Sequence, residues 1–184
     1  MNTKSIQDFI LNSERNLHIA AVINEVWLEA RKRSVSKFLE KLELIFKKKK
    51  GGRWICKKNG EFFEELESNV QFYKPLWEDY QVELHFGNYG KIMSFGVARN
   101  EKIHKKPHHS EILTAIKKEY PSALGGSKWW EANITMMSPA TDWQKPKNLW
   151  RMRNDKKFLY DVTYQLLEVA TIAEPIIDSL VRKK

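Results

Sequence analysis

Apolar residues recur at three- and four-residue spacings from Thr3 to about Phe46: Ile6, Phe9, Ile10, Ile19, Val22, Ile23, Val26 and Trp27, then Val35, Phe38, Leu39, Leu42 and Ile45. That period predicts amphipathic helix. The polar stretch Asn12–Asn16 interrupts it and Ser34–Ser36 offers a new cap, so two or three helices are expected rather than one rod. The period then changes. Gly51–Gly52 and Asn59–Gly60 bracket a short apolar run, the signature of a strand and a tight turn into a second strand or a helix. In a strand, Trp54 and Cys56 would share one face, and Arg53, Ile55 and Lys57 the other.

The clearest strand pair lies further on. Tyr80, Val82, Leu84 and Phe86 alternate with Gln81, Glu83 and His85; Gly87, Asn88 and Gly90 supply a turn; Met93, Phe95 and Val97 then alternate with Ile92, Ser94 and Gly96. A helix is expected from His109 or Ser110 to Pro121, a strand over "SKWWEANITMM", and a proline-marked loop over "SPATDWQKPKNLWRMRN". A final helix, capped by Asn154 or Asp155, carries a wide apolar face from Phe158 to Leu180, with Pro175 as a kink or a new start. The order predicts one α+β domain over 1–184, with N-terminal helices (1–46) and a long C-terminal helix (155–182) on a small antiparallel sheet with an inserted helix (52–137).

Composition adds constraints. At 184 residues with 42% hydrophobic and 12% aromatic content, the chain suits a single well-buried core. The single cysteine, Cys56, excludes an intrachain disulfide and suits a reducing compartment. With no signal-like N-terminus and no apolar run near the roughly 18 residues of a membrane span, a cytoplasmic protein without a membrane partner is expected. A surplus of 32 basic over 23 acidic residues, net +9, favours an anionic partner.

The familiar catalytic patterns are missing: no GxSxG, GxxxxGK[ST] or GxGxxG occurs. His104, His108 and His109 with Glu111 have suitable metal-ligand chemistry, but neither helical i,i+4 pairing nor an HExxH pattern is present, so a surface or structural role is read and no metal or cofactor is assigned. "GGSKWW" precedes a strand rather than a helix and reads as a turn, not a phosphate cradle. Cys56 reads as packing, although neighbouring cations would favour a reactive thiolate. Glu61, Glu64, Glu65 and Glu67 read as a solvated helix start. What remains is a basic and aromatic surface: Lys47, Lys48, Lys49, Lys50, Arg53, Trp54, Lys57 and Lys58; then Lys102, Lys105 and Lys106; then Lys145, Lys147, Arg151 and Arg153. Cations neutralise phosphates, and Trp54, Trp143 or Trp150 would stack on bases.

The segment "FYKPLWEDYQVELHFGNYGKIMSFGVARNEK", with Tyr80-x-Val82-x-Leu84-x-Phe86, a turn and Phe95-Gly96-Val97, resembles the C-terminal region of bacterial PD-(D/E)XK nuclease superfamily proteins, from the "VWLEARKRSVSKFLEKL" helix onward. That superfamily holds a divalent metal with an acid and, one strand later, an E-x-K pair. Here Asp79 with Glu83-x-His85 has histidine in place of lysine and too little chain between the acids, so no catalytic residue carries over. The resemblance implies an accessory part without the nuclease core. A non-enzymatic module is therefore expected, binding nucleic acid through the Lys47–Lys58 cluster with Arg151 and Arg153, or supporting a nuclease-like DNA-processing or defence system. The alternatives are a protein-interaction or self-association module and a metal-dependent nuclease with an unusual site.

Overall fold

The computed structural model describes residues 3–103 and 105–182. Helix α1 (Thr3–Leu11) gives way to α2 (Glu14–Lys50) at the polar Asn12–Ser13 step, where the Ser13 hydroxyl accepts a hydrogen bond from the Asn16 N–H. This N-cap satisfies a donor that the first helical turn leaves open. The expected second break at Ser34–Ser36 does not occur. The Ser34 hydroxyl donates instead to the Ala30 carbonyl, 2.7 Å away and one turn back, so it is absorbed by the helix. Thus α2 runs 37 residues, about 55 Å. Lys47–Lys50 form its last turn, where positive charge complements the helix dipole.

Five strands follow: β1 (Ile55–Asn59), β2 (Glu67–Tyr73), β3 (Tyr80–Gly87), β4 (Ile92–Arg99) and β5 (Trp130–Thr135). They form one antiparallel sheet in sequence order. The β3–β4 hairpin is as the alternation predicts, closed by a 3-10 turn over Asn88–Gly90. Between β4 and β5 the chain forms α3 (Ser110–Glu119), ending just before Pro121. Three expectations are corrected. Residues 61–66 are turns that lead into β2, not a helix start. The proline-marked loop contains α4 (Pro146–Asn154), because Pro146 at the first helical position has the right φ and no donor to waste. Finally, α5 (Lys156–Arg182) contains Pro175 within one helix, so no new helix starts there. Its start is capped by Asp155, which accepts from the backbone N–H groups of Lys157 and Phe158.

All helices that meet the sheet lie on one side. Helix α5 crosses β3 and β4, with α3 beside it near β5 and α2 and α4 packed against it. The Phe46 ring stacks on Phe72 of β2 at 4.1 Å, and Phe38, Trp143 and Phe158 meet edge to face. Val70, Phe72, Val82, Leu84, Phe86, Phe95 and Val97 supply the sheet's contribution to this core. This is the expected α+β architecture. At the other extreme, Leu17, Ile19, Val22, Ile23, Val26, Trp27 and Leu28 on the first half of α2 remain exposed. No helix among the described residues is long and apolar enough to cross a membrane.

Candidate ligand groove on the uncovered sheet face

The period of two that buries Val82, Leu84 and Phe86 sends Gln81, Glu83 and His85 to the face without helices. Register brings polar residues of the neighbouring strands alongside them. Lys57, Gln71, Glu83, Gly96 and Asn133 form one row across the sheet; Asn59, Asn69, His85, Ser94 and Thr135 form the next. Trp130 pairs with Ala98 at a bulge between β4 and β5, and its ring lies 6.0 Å from that of His85 and nearly perpendicular to it. The result is a groove of about 830 Å³ with an amide-rich floor, Lys57 on one side and Trp129 and Trp130 on the other. Gly96 is needed at its floor. Its φ is +152°, and a Cβ there would sit 2.0 Å from the Ala132 carbonyl oxygen.

Glu83 is 5% exposed, although no helix covers it. Its carboxylate accepts from the Gln81 amide at 3.2 Å and more weakly from the Gln71 amide at 3.5 Å, while its other oxygen lies 3.2 Å from His85 Nδ1. On the opposite edge of the imidazole, Nε2 meets the Glu67 carboxylate at 2.5 Å. Burial by itself would lower the imidazole pKa, but the carboxylates of Glu83 and Glu67 outweigh it and hold His85 above its ordinary value. A carboxylate, an imidazole and a second carboxylate therefore lie side by side along the groove floor. Both ring nitrogens are engaged in this way, and no group of three His, Cys, Asp or Glu side chains among the described residues is arranged to hold a metal ion.

One end of the groove is stiffened from below. Arg99 is 3% exposed and donates to the carbonyls of Ile103 and Lys106, both at 2.6 Å, and its guanidinium approaches the His108 ring. Its Nε lies 3.3 Å from the buried Glu131 carboxylate, close enough for charge attraction but not aligned as a hydrogen bond. Glu131 also accepts from the His109 backbone N–H. His108 and His109 thus serve the loop that carries Lys102, Lys105 and Lys106, while His104 lies outside the described residues.

The basic cluster is dispersed. Lys47 pairs with Glu43 at 2.7 Å, Lys58 lies 3.5 Å from the same glutamate, and Lys50 pairs with Glu174 at 2.9 Å. Lys48, Lys49 and Arg53 are exposed, and only Lys57 of this group lines the groove. Trp54 is corrected from stacking platform to core: it is 2% exposed and packs edge to face on Phe46 and Trp77. Trp143 is buried as well, and Trp150 is exposed. Arg151 is held by Asp155 at 3.1 Å and by the Pro139 carbonyl at 2.9 Å, over the Phe158 ring; Arg153 is exposed. Since Phe158 meets Phe38, this second pair sits beside a part of α2 about 14–18 Å from Lys47–Lys50, so the structure does not bring the two clusters together. Burial pushes the Cys56 thiol up to about 12, with Glu43 adding to it, so no thiolate forms at neutral pH.

The groove residues outside the basic cluster were singled out by no motif. The one signal for them was Glu83-x-His85 on a strand. No family model matches the chain, and comparison with curated proteins and with solved structures finds no match.

Proposed function

We propose that this protein binds single-stranded nucleic acid across the uncovered face of its sheet, as a module of the DNA-processing or defence type that the PD-(D/E)XK resemblance implies. The observation that carries the reading is the groove itself. Amides at Asn59, Asn69, Gln71 and Gln81 offer donors and acceptors together, which suits base edges, and Trp129, 46% exposed, with the half-buried Trp130 provides aromatic surface at the wall. Lys57 within the groove and Lys102 beside it supply charge for the backbone. Lys48, Lys49, Arg53 and Arg153, exposed outside the groove, add long-range attraction rather than contacts to bases.

Fluorescence anisotropy with labelled single-stranded and duplex oligonucleotides tests this at two salt concentrations. Tighter binding of single strands is expected, weakened about tenfold or more by Trp129→Ala and by added salt. Lys48→Ala with Lys49→Ala should lower the salt slope with little effect on base preference. Absence of binding at low salt removes the proposal.

A specific observation favours a second reading, self-association. Ten large apolar side chains of α1 and the first half of α2, from Ile6 to Leu28, are more than a third exposed. Helices paired along that stalk would hide them. Light scattering should then find a salt-insensitive dimer whose population rises with concentration, and a monomer throughout would exclude it.

A further inference from the structure

The floor of the groove holds more than binding requires. A nucleic-acid site gains nothing from a fixed carboxylate–imidazole–carboxylate line, since two acids beside the backbone path repel phosphate. Proton transfer has a use for it. We propose that the groove cleaves single-stranded RNA by internal attack of the ribose 2′-hydroxyl, with Glu67 as general base and His85 as general acid. The proposal rests on the reading that single-stranded nucleic acid occupies this groove.

The roles follow from accessibility. The Glu67 side chain is 55% exposed, whereas that of Glu83 is only 7% exposed and held by Gln81, Gln71 and His85 Nδ1. Glu67 is thus the acid a substrate can reach, exchanging its contact with His85 Nε2 for the 2′-hydroxyl, and Glu83 is a positioning residue that fixes the ring and favours its protonated form. His85 is partly exposed, with Nε2 turned towards Glu67. The carboxylates of Glu83 and Glu67 raise the imidazole pKa above its ordinary value, which favours the protonated ring a general acid needs. The remaining charges around the groove are Lys57 on β1 and Arg99 on β4, the latter engaged by Glu131. Lys57 is the cation available to stabilise charge on the phosphate oxygens.

The step balances without a co-reactant. Glu67 takes the 2′-hydroxyl proton, O2′ forms a bond to phosphorus, and the bond from phosphorus to O5′ breaks. The electron pair leaves on O5′, which takes the proton from His85 Nε2. The products end in a 2′,3′-cyclic phosphate and a 5′-hydroxyl. Because Glu67 and His85 are hydrogen-bonded to each other in the free protein, the proton gained by one returns to the other once the products leave.

The test incubates the purified full chain with labelled single-stranded RNA, and with DNA of the same sequence, in excess EDTA. RNA should shorten to fragments ending in cyclic phosphate while DNA stays intact. His85→Gln and Glu67→Gln should each slow cleavage on the order of 100-fold or more with unchanged circular dichroism. Glu67 is surface-exposed, so its variant remains informative if His85→Gln unfolds. Glu83→Gln should move the alkaline limb of the pH–rate profile to lower pH; an unmoved limb would remove its positioning role. RNA that binds but stays whole, cleavage that persists in both variants, or cleavage that EDTA abolishes would each overturn the proposal and leave the binding reading standing. A protein that binds no oligonucleotide would overturn both.

Discussion

The two faces of β3 reach similar burial by opposite means. Beneath the helices, Val82, Leu84 and Phe86 are fully buried among aromatic and aliphatic side chains. On the other face Gln81 and Glu83 are 9% and 5% exposed with no helix above them. The first arrangement removes apolar area from water, which is the main source of stability. The second hides a carboxylate only by giving it partners, since an unpartnered buried charge would be costly. Low exposure therefore has two meanings in one strand. Under the helices it marks apolar packing, and on the groove side it marks a charge held by hydrogen-bond partners.

The largest expected consequence of that difference is in stability. Leu84→Ala deletes a fully buried side chain facing α5 and should cost about 2–5 kcal/mol. Gln81→Ala, on the opposite face, loses one hydrogen bond to Glu83 and should cost about 0.5–1.5 kcal/mol. Urea denaturation followed by tryptophan fluorescence measures both. Equal costs would erase the distinction between the faces, and a larger loss for Gln81 would make the groove part of the core.

The same contrast explains what could be read in advance. The β3–β4 hairpin was legible because one face is apolar and the other polar, and α5 because its apolar face is wide. Strand β2 alternates too, with Ser68, Val70 and Phe72 inward, but the first of these three is small and polar and a run of glutamates precedes it. Helix α4 was hidden by the prolines, one of which begins it. The groove was legible only at Glu83 and His85. Asn59, Asn69 and Gln71 lie on other strands, and only register places them beside these two. Glu67 was read as part of an acidic helix start, so its meeting with His85 had no local signal. Charge counting failed for a related reason: it registers Lys47, Lys50 and Lys58 but not Glu43 and Glu174, which engage them through tertiary contacts or along the helix. A basic run reports composition, whereas an available cation is a property of the fold.

The smallest effect is the most local, and it separates the two faces most sharply. Histidine titration followed by NMR should place the His85 midpoint above its reference value of 6.5. The sign follows from linkage. A group whose folded pKa is raised contributes stability that is complete below its unfolded pKa and is lost as pH rises through the folded value. The groove's contribution should therefore fade as pH rises above 6.5 through the raised His85 value, while the apolar side chains Val82, Leu84 and Phe86, which do not titrate, hold the other face together. Glu83→Gln removes the charge and keeps a hydrogen-bonding group of similar shape, so the midpoint should fall towards 6.5 with the fold intact. A midpoint that does not move would mean the Glu83 carboxylate is not felt by the ring. The low exposure of Glu83 would then be packing of the same kind as that of Leu84, and the two faces would differ in composition but not in kind.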